Sequence, residues 1–107
     1  MKLVPVFQVA SIAPAVDEWS RLLGMKATFI DGDRWAQFDP PSGRIALASA
    51  EEAPYGSGAM VKVADLREAR TACQAAGLSA GPIEQGKHEK RFTVLAGGIA
   101  LVFYTPA

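Results

Sequence analysis

The chain of 107 residues has a single cysteine, Cys73, a single histidine, His88, and no excess charge, with 11 basic and 11 acidic side chains. A lone cysteine excludes an internal disulfide framework and is typical of a reducing compartment. The charge balance argues against a nucleic-acid or membrane-surface partner, because both favour excess Lys and Arg. No apolar run approaches the length of a membrane helix, and the apolar start is too short for a signal peptide. We therefore predict a cytoplasmic protein.

The composition is that of a globular chain, since 50% of the residues are hydrophobic. A chain of this length buries roughly 65% of its unfolded surface, which is enough for a core without disulfides or metal. We predict one domain spanning residues 1–107.

An internal repeat is the most informative pattern. Shifting the sequence by 54 residues without a gap gives nine identities, where about four are expected by chance. The matches include the run Ile45-Ala46-Leu47 with Ile99-Ala100-Leu101, and Phe38 with Phe92. The chain therefore contains two modules of equal length.

Local signals give each module the order β-α-β-β-β. In the first module, 3–52, Ser11 is a candidate N-cap, Gly24 a candidate C-cap, and Asp31-Gly32-Asp33 a hairpin signal. Strands are predicted over 4–10, 27–30, 34–39 and 44–50, and the turn over 40–43 separates the last two.

The second module, 58–105, follows a linker over 51–58. Asp65 and Glu68 form a capping box, and the helix ends at Gly77. Strands are predicted over 58–64, 78–85, 88–95 and 99–104, with turns at Gly86-Lys87 and Gly97-Gly98. A ferredoxin-like β-α-β-β-α-β sandwich is the second-ranked fold, because it allows only one hairpin between helices.

Several fragments, in the right order, resemble the vicinal oxygen chelate superfamily, which includes glyoxalase I, bleomycin-resistance proteins and extradiol dioxygenases. The first-module fragments are Phe7-x-Val9-x-x-Ile12, Val16-Asp17-x-Trp19-x-x-Leu22-Leu23-Gly24 and the Asp39-Pro40 turn with its following strand. The second-module fragment is Val61-Lys62-Val63-Ala64-Asp65-Leu66-Arg67-Glu68-Ala69. The resemblance covers nearly the whole chain. It implies an α+β fold in which two tandem βαβββ modules form an open, curved, mixed β-sheet barrel with a helix packed outside each half.

The resemblance also shows where metal-dependent members carry their ligands. Those positions fall here at Val4, Ala46, Gly58 and Ala100, and none of these side chains coordinates a metal. We therefore expect no metal and no cofactor, in contrast to glyoxalase I and the dioxygenases.

Other chemistry-bearing residues give weak signals. His88 lies in a charged hairpin flank, with Glu84 and Glu89 as its possible partners in a metal site, and a solvated flank is the favoured interpretation. Cys73 lies on the apolar stripe of its helix and is assigned to the core. Gly97-Gly98 joins two strands, whereas a phosphate-binding loop opens a helix.

Strand alternation predicts which side chains face the cavity. The candidate ligand-binding residues are Gln8, Trp35, Gln37, Met60, Lys62, Arg91 and Tyr104. Small residues (Ala46, Ala48, Gly58 and Ala100) are expected to leave room among them. Space lined by a few orienting polar groups is typical of a binding pocket.

We predict a metal-free protein that sequesters a small, partly aromatic organic compound, with no catalytic residues. The resemblance implies antibiotic-binding resistance proteins as the nearest functional type and a homodimer as the assembly. One alternative is a glyoxalase-type lyase or isomerase, or a dioxygenase-like enzyme, with a non-standard site that uses His88, Glu89 or Arg91. Another is a non-catalytic dimeric regulatory or scaffold module.

Overall fold

The computed structural model describes residues 2–106. These residues divide into two compact units, one formed by Val4–Ser57 and the other by the chain from Gly58 onward together with residues 2 and 3. Neither helix in this part of the chain has the length and apolar character that crossing a bilayer requires.

The first unit has the element order β1-α1-β2-β3-β4, and its strands lie in the order β2-β3-β4-β1. Strand β1 pairs with β4 in parallel, whereas β2–β3 and β3–β4 are antiparallel. The elements are β1 (Lys2–Gln8), α1 (Ile12–Leu23), β2 (Phe29–Asp31), β3 (Trp35–Phe38) and β4 (Ile45–Ala48).

The second unit repeats this plan as β5-α2-β6-β7-β8, with the strand order β6-β7-β8-β5. Its first and last strands are parallel, and its other pairs are antiparallel. The elements are β5 (Gly58–Lys62), α2 (Leu66–Ala75), β6 (Glu84–Gln85), β7 (Glu89–Ala96) and β8 (Ile99–Pro106). The α+β class, the two βαβββ units and the mixed, open sheet are confirmed.

Each helix packs on one face of its own sheet through an apolar stripe. In the first unit, Ile12 of α1 packs with Phe38 and Leu47, and all three are fully buried. In the second unit, the buried Cys73 and Leu66 of α2 pack against Phe92, Phe103 and their neighbours. The prediction that Cys73 belongs to the core is confirmed.

The helix ends differ in how well their backbone groups are capped. Asp65 accepts a hydrogen bond from the Glu68 amide at 3.0 Å, as the capping box predicts. Ser11 occupies the equivalent position before α1 but makes no side-chain cap bond. Gly24 ends α1 with φ 65°, a left-handed conformation that glycine adopts at no steric cost.

The strand predicted over 78–85 is shorter than expected. Only Glu84–Gln85 forms a strand, with one isolated bridge from Ala80 to Val94. Pro82 has no amide hydrogen, so it cannot continue a ladder. Arg70 of α2 instead donates hydrogen bonds to the carbonyls of Gly81, at 2.7 Å, and Ala80, at 3.1 Å.

The pairing of the first and last strands differs between the two units. Val6 lies opposite Ala46 in the first unit. The 54-residue repeat would therefore place Met60 opposite Ala100, but Met60 lies opposite Val102. Relative to the first strand of its unit, the last strand of the second unit is therefore shifted by two residues.

The connection between the last two strands also differs between the units. Strands β7 and β8 are joined by Gly97 and Gly98 alone, both with positive φ (58° and 77°), as a tight hairpin turn requires. In the first unit, residues 39–44 separate β3 from β4. A shift of two residues keeps every side chain on its original face, whereas a shift of one would reverse them all.

Candidate functional site

Two of the predicted ligand-binding residues lie side by side on the first unit's sheet. Ala36 and Phe38 of β3 are buried in the core beneath α1. Successive strand residues point to opposite faces, so Trp35 and Gln37 project from the face away from the helix. Both are half-buried. This orientation agrees with the predicted parity.

A hydrogen bond joins these two side chains. Trp35 Nε1 donates to Gln37 Oε1 at 3.0 Å. The indole N–H is a donor only, so the amide oxygen must face it and the amide NH₂ points elsewhere. The pair therefore presents an aromatic ring beside a fixed amide.

Phe29 is a neighbour that the sequence analysis did not select. It lies opposite Gln37 in the β2–β3 pair, and directly opposite residues share a sheet face. Its side chain is 51% exposed. The hairpin signal at Asp31-Gly32-Asp33 is the feature of the sequence that indicates this pairing.

Gln8 forms two hydrogen bonds with the linker over residues 51–58. Its Nε2 donates to the Ala53 carbonyl at 2.7 Å, and its backbone amide donates to Ser57 Oγ at 2.9 Å. The side chain is otherwise exposed, and its amide oxygen can still accept a hydrogen bond. Its role in ligand binding stays a prediction.

Two of the small residues that were expected to leave room are fully covered. Ala46 and Ala48 lie opposite Gln37 and Trp35 in the β3–β4 pair, and both are 0% exposed. Small side chains leave space only where larger neighbours do not cover them. A ligand on this face would therefore contact the larger side chains around these alanines and not the alanines themselves.

Three more predicted residues form a row across the second unit's sheet. Tyr104 lies opposite both Lys62 of β5 and Arg91 of β7. Phe92 and Phe103 are buried on the helix side, so the row projects from the other face. Met60 shares this face one step along, opposite Val102.

Arg91 of this row also forms an ion pair with Glu89, two residues earlier on β7. Its Nη1 lies 2.8 Å from Glu89 Oε1, with Arg91 43% and Glu89 21% exposed. The carboxylate neutralises one charge of the row and orients the guanidinium, whose other N–H groups remain donors. His88 is exposed in the turn before β7.

Two surface depressions lie beside the helix starts, at repeat-equivalent positions. The first, of about 350 Å³, is lined by Val9, Pro14 and Trp19 among others. The second, of about 210 Å³, is lined by Val63, Asp65 and their neighbours. None of the predicted ligand-binding residues lines either one.

Comparisons with solved structures place this geometry among known folds. A glyoxalase/bleomycin resistance protein/dioxygenase superfamily member from Vibrio splendidus 12B01 is similar over 97% of both chains, with a TM-score of 0.74 and 16% identity. The chain has the glyoxalase-type fold. A protein described as an NAD-dependent benzaldehyde dehydrogenase from Legionella pneumophila shares the fold over 99% of this chain and 100% of its own, with a TM-score of 0.88 and 18% identity. No protein-family model and no curated protein sequence matches the chain.

The metal that this glyoxalase-type fold carries in some proteins does not fit the residues present. In the second unit, Gly58 lies opposite Ala100, and a Cβ at Gly58 would overlap the Ala100 carbonyl oxygen. In the first unit, Val4 and Ala46 are buried and hydrocarbon only. Within residues 2–106, no three His, Cys, Asp or Glu side chains are grouped to hold a metal ion. The donor set is therefore unsuited to a metal at the fold's usual positions.

Proposed function

We propose that this glyoxalase-type protein binds and sequesters a small, partly aromatic organic compound without a metal or cofactor. The supporting observation is the hydrogen-bonded pair of Trp35 and Gln37 on the sheet face opposite the helix. An aromatic ring gives a ligand a large apolar contact, and a neighbouring amide orients it.

Rigidity adds to this argument. The Trp35–Gln37 bond reduces the number of conformers of both side chains before any ligand arrives. A preorganised contact loses less conformational entropy on binding than a mobile one does. Sequestration needs affinity alone, and this arrangement supplies it without catalytic groups.

The second unit carries candidate polar contacts of its own. Arg91, Lys62 and Tyr104 provide hydrogen-bond donors on one face, and Met60 provides an adaptable apolar contact. Gln8 contributes an amide oxygen. We propose these groups as ligand contacts, and antibiotic resistance by sequestration as the biological role.

The assembly and location are part of the same proposal. We propose a homodimer in the cytoplasm, with a small molecule as partner and with neither nucleic acid nor membrane. Size-exclusion chromatography with light scattering tests the dimer, and a mass of a single chain at micromolar concentration would contradict it.

A titration followed by NMR tests the binding function. Uncharged two-ring aromatic compounds are added to ¹⁵N-labelled protein, and amide shifts are mapped. We expect shifts at Phe29–Asp31 and Trp35–Phe38, and we expect them to disappear in Trp35→Ala. The control is Trp19→Phe, because Trp19 packs against Phe7 beneath the sheet at 5.3 Å between ring centroids. Shifts confined to other residues, or unchanged in Trp35→Ala, would contradict the proposal.

A further inference from the structure

The Trp35–Gln37 bond restricts which hydrogen bonds a ligand can make. An amide offers one acceptor oxygen and one donor NH₂, and rotation normally lets it present either. Here the oxygen accepts from the Trp35 indole at 3.0 Å. Turning the amide over would place N–H against N–H and leave the half-buried indole donor unpaired, which costs free energy. The Gln37 oxygen thus has one of its two lone pairs occupied, whereas the NH₂ group keeps both N–H donors for a ligand.

Phe29 adds a second ring next to this amide. It lies directly opposite Gln37 on the adjacent strand, with its side chain 51% exposed. Directly opposite residues have Cβ atoms about 4.5–5.5 Å apart. Gln37 thus has one aromatic neighbour across the strands, Phe29, and another along its own strand, Trp35.

The charges beside these rings cancel locally. Asp31 lies opposite Trp35, and its carboxylate pairs with Arg34 Nη2 at 2.8 Å. A charged ligand would lose hydration here without gaining an unpaired charge from Asp31 or Arg34. The face therefore favours an uncharged ligand.

We propose that this face selects uncharged, planar aromatic compounds that carry a hydrogen-bond acceptor, such as a ring nitrogen or a carbonyl oxygen. Gln37 Nε2 donates to that acceptor, and Phe29 and Trp35 contact the rings. Phe29 is thereby a specificity-determining residue in addition to the predicted set. This inference rests on the proposed binding function and specifies its ligand class.

Two probes of the same shape test the selection. Quinoline carries a ring-nitrogen acceptor and no donor, whereas indole carries an N–H donor and no comparable acceptor, and both are uncharged at neutral pH. Each is titrated into ¹⁵N-labelled protein, and affinities are taken from amide shifts of Phe29–Asp31 and Trp35–Phe38. We expect quinoline to bind about tenfold more tightly, the effect of one hydrogen bond beside an otherwise unmatched polar group.

Two variants test whether the hydrogen bond from Gln37, and not ring stacking alone, causes the preference for quinoline. Trp35→Phe keeps a ring but removes the indole donor, so the Gln37 amide is free to turn. The ratio of quinoline affinity to indole affinity should then fall towards one. Gln37→Glu still accepts from Trp35 but has no N–H to donate, so the preference should reverse in favour of indole. A loss of fold in either variant would appear as collapsed amide dispersion, and the other variant then decides.

The outcomes distinguish a failure of the proposed ligand class from a failure of the proposed binding function. Equal affinities in the wild-type protein, or a preference for indole, with shifts on this face would overturn the ligand class and leave the binding function standing. An unchanged quinoline preference in Gln37→Glu would also overturn the inference. Shifts from neither probe on this face would overturn the binding function and the inference together.

Discussion

The indole nitrogen of Trp35 lies 3.0 Å from the amide oxygen of Gln37, two residues further along the same strand. Strand geometry places both side chains on one face, and the chemistry of the two groups leaves only one orientation for the amide. This single contact connects the strand alternation visible in the sequence to the ligand preference that we propose.

Replacing Trp35 with Ala should weaken aromatic ligand binding at least about tenfold, which corresponds to about 1.4 kcal/mol. The thermal midpoint should change little, because Trp35 is half-buried and lies outside the core beneath α1. Titration and calorimetry on the same variant measure the two effects. Phe38→Ala is the control, since Phe38 is fully buried and its loss should cost about 3–5 kcal/mol. A large loss of stability with unchanged affinity would assign Trp35 to a packing role.

Gly58→Ala should destabilise the protein by about 1–3 kcal/mol, because the added Cβ would overlap the Ala100 carbonyl oxygen unless β5 and β8 separate. Urea unfolding measures the change. Gly81→Ala is the matched control: its Cβ would lie 3.4 Å from the Thr93 carbonyl oxygen, an ordinary contact. If both variants are equally stable, the close approach at Gly58 is wrong.

Asp65→Ala should cost about 1 kcal/mol, because it removes the hydrogen bond that caps the Glu68 amide at 3.0 Å. Ser11→Ala, at the equivalent position before α1, should cost much less because Ser11 makes no side-chain cap bond. Chemical unfolding of both variants under the same conditions checks this. Equal losses would mean that Ser11 caps its helix in solution.

Arg70→Leu should lower stability by about 1.5–3 kcal/mol, since the carbonyls of Gly81 and Ala80 lose a charged donor. Amide exchange over residues 78–83 should accelerate before the rest of the chain does. Arg67→Leu on the exposed side of α2 is the control, with a change within about 0.5 kcal/mol. Unchanged exchange over this segment in Arg70→Leu would contradict its anchoring role.

The sequence predicted the fold class because hydrophobic period, turn residues and an internal repeat all agreed. The tight turn at Gly97-Gly98 and the cap at Asp65 depend on local chemistry, and both were found where predicted. The two-residue shift of the last strand was not predictable from the repeat, because identical runs at 45–47 and 99–101 have different partners.

Part of the candidate site could also be predicted from the sequence. Strand alternation placed Trp35 and Gln37 on one face, since residues two apart on a strand point to the same side. It did not reveal that Ala46 and Ala48 are fully covered, or that Gln8 is tied to Ala53, because these depend on which side chains meet across the fold. Arg70 was overlooked because an arginine that binds backbone carbonyls has no sequence signature.

Native mass spectrometry of protein purified gently, without chelator, tests the central claim of metal-free ligand binding most directly. One spectrum reports the assembly mass, any retained metal and any co-purified organic compound. We predict a dimer without transition metal, and any adduct should be an uncharged aromatic compound with a hydrogen-bond acceptor. One stoichiometric transition-metal ion for each chain would contradict the account and favour a glyoxalase-type enzyme with a site outside Val4, Ala46, Gly58 and Ala100.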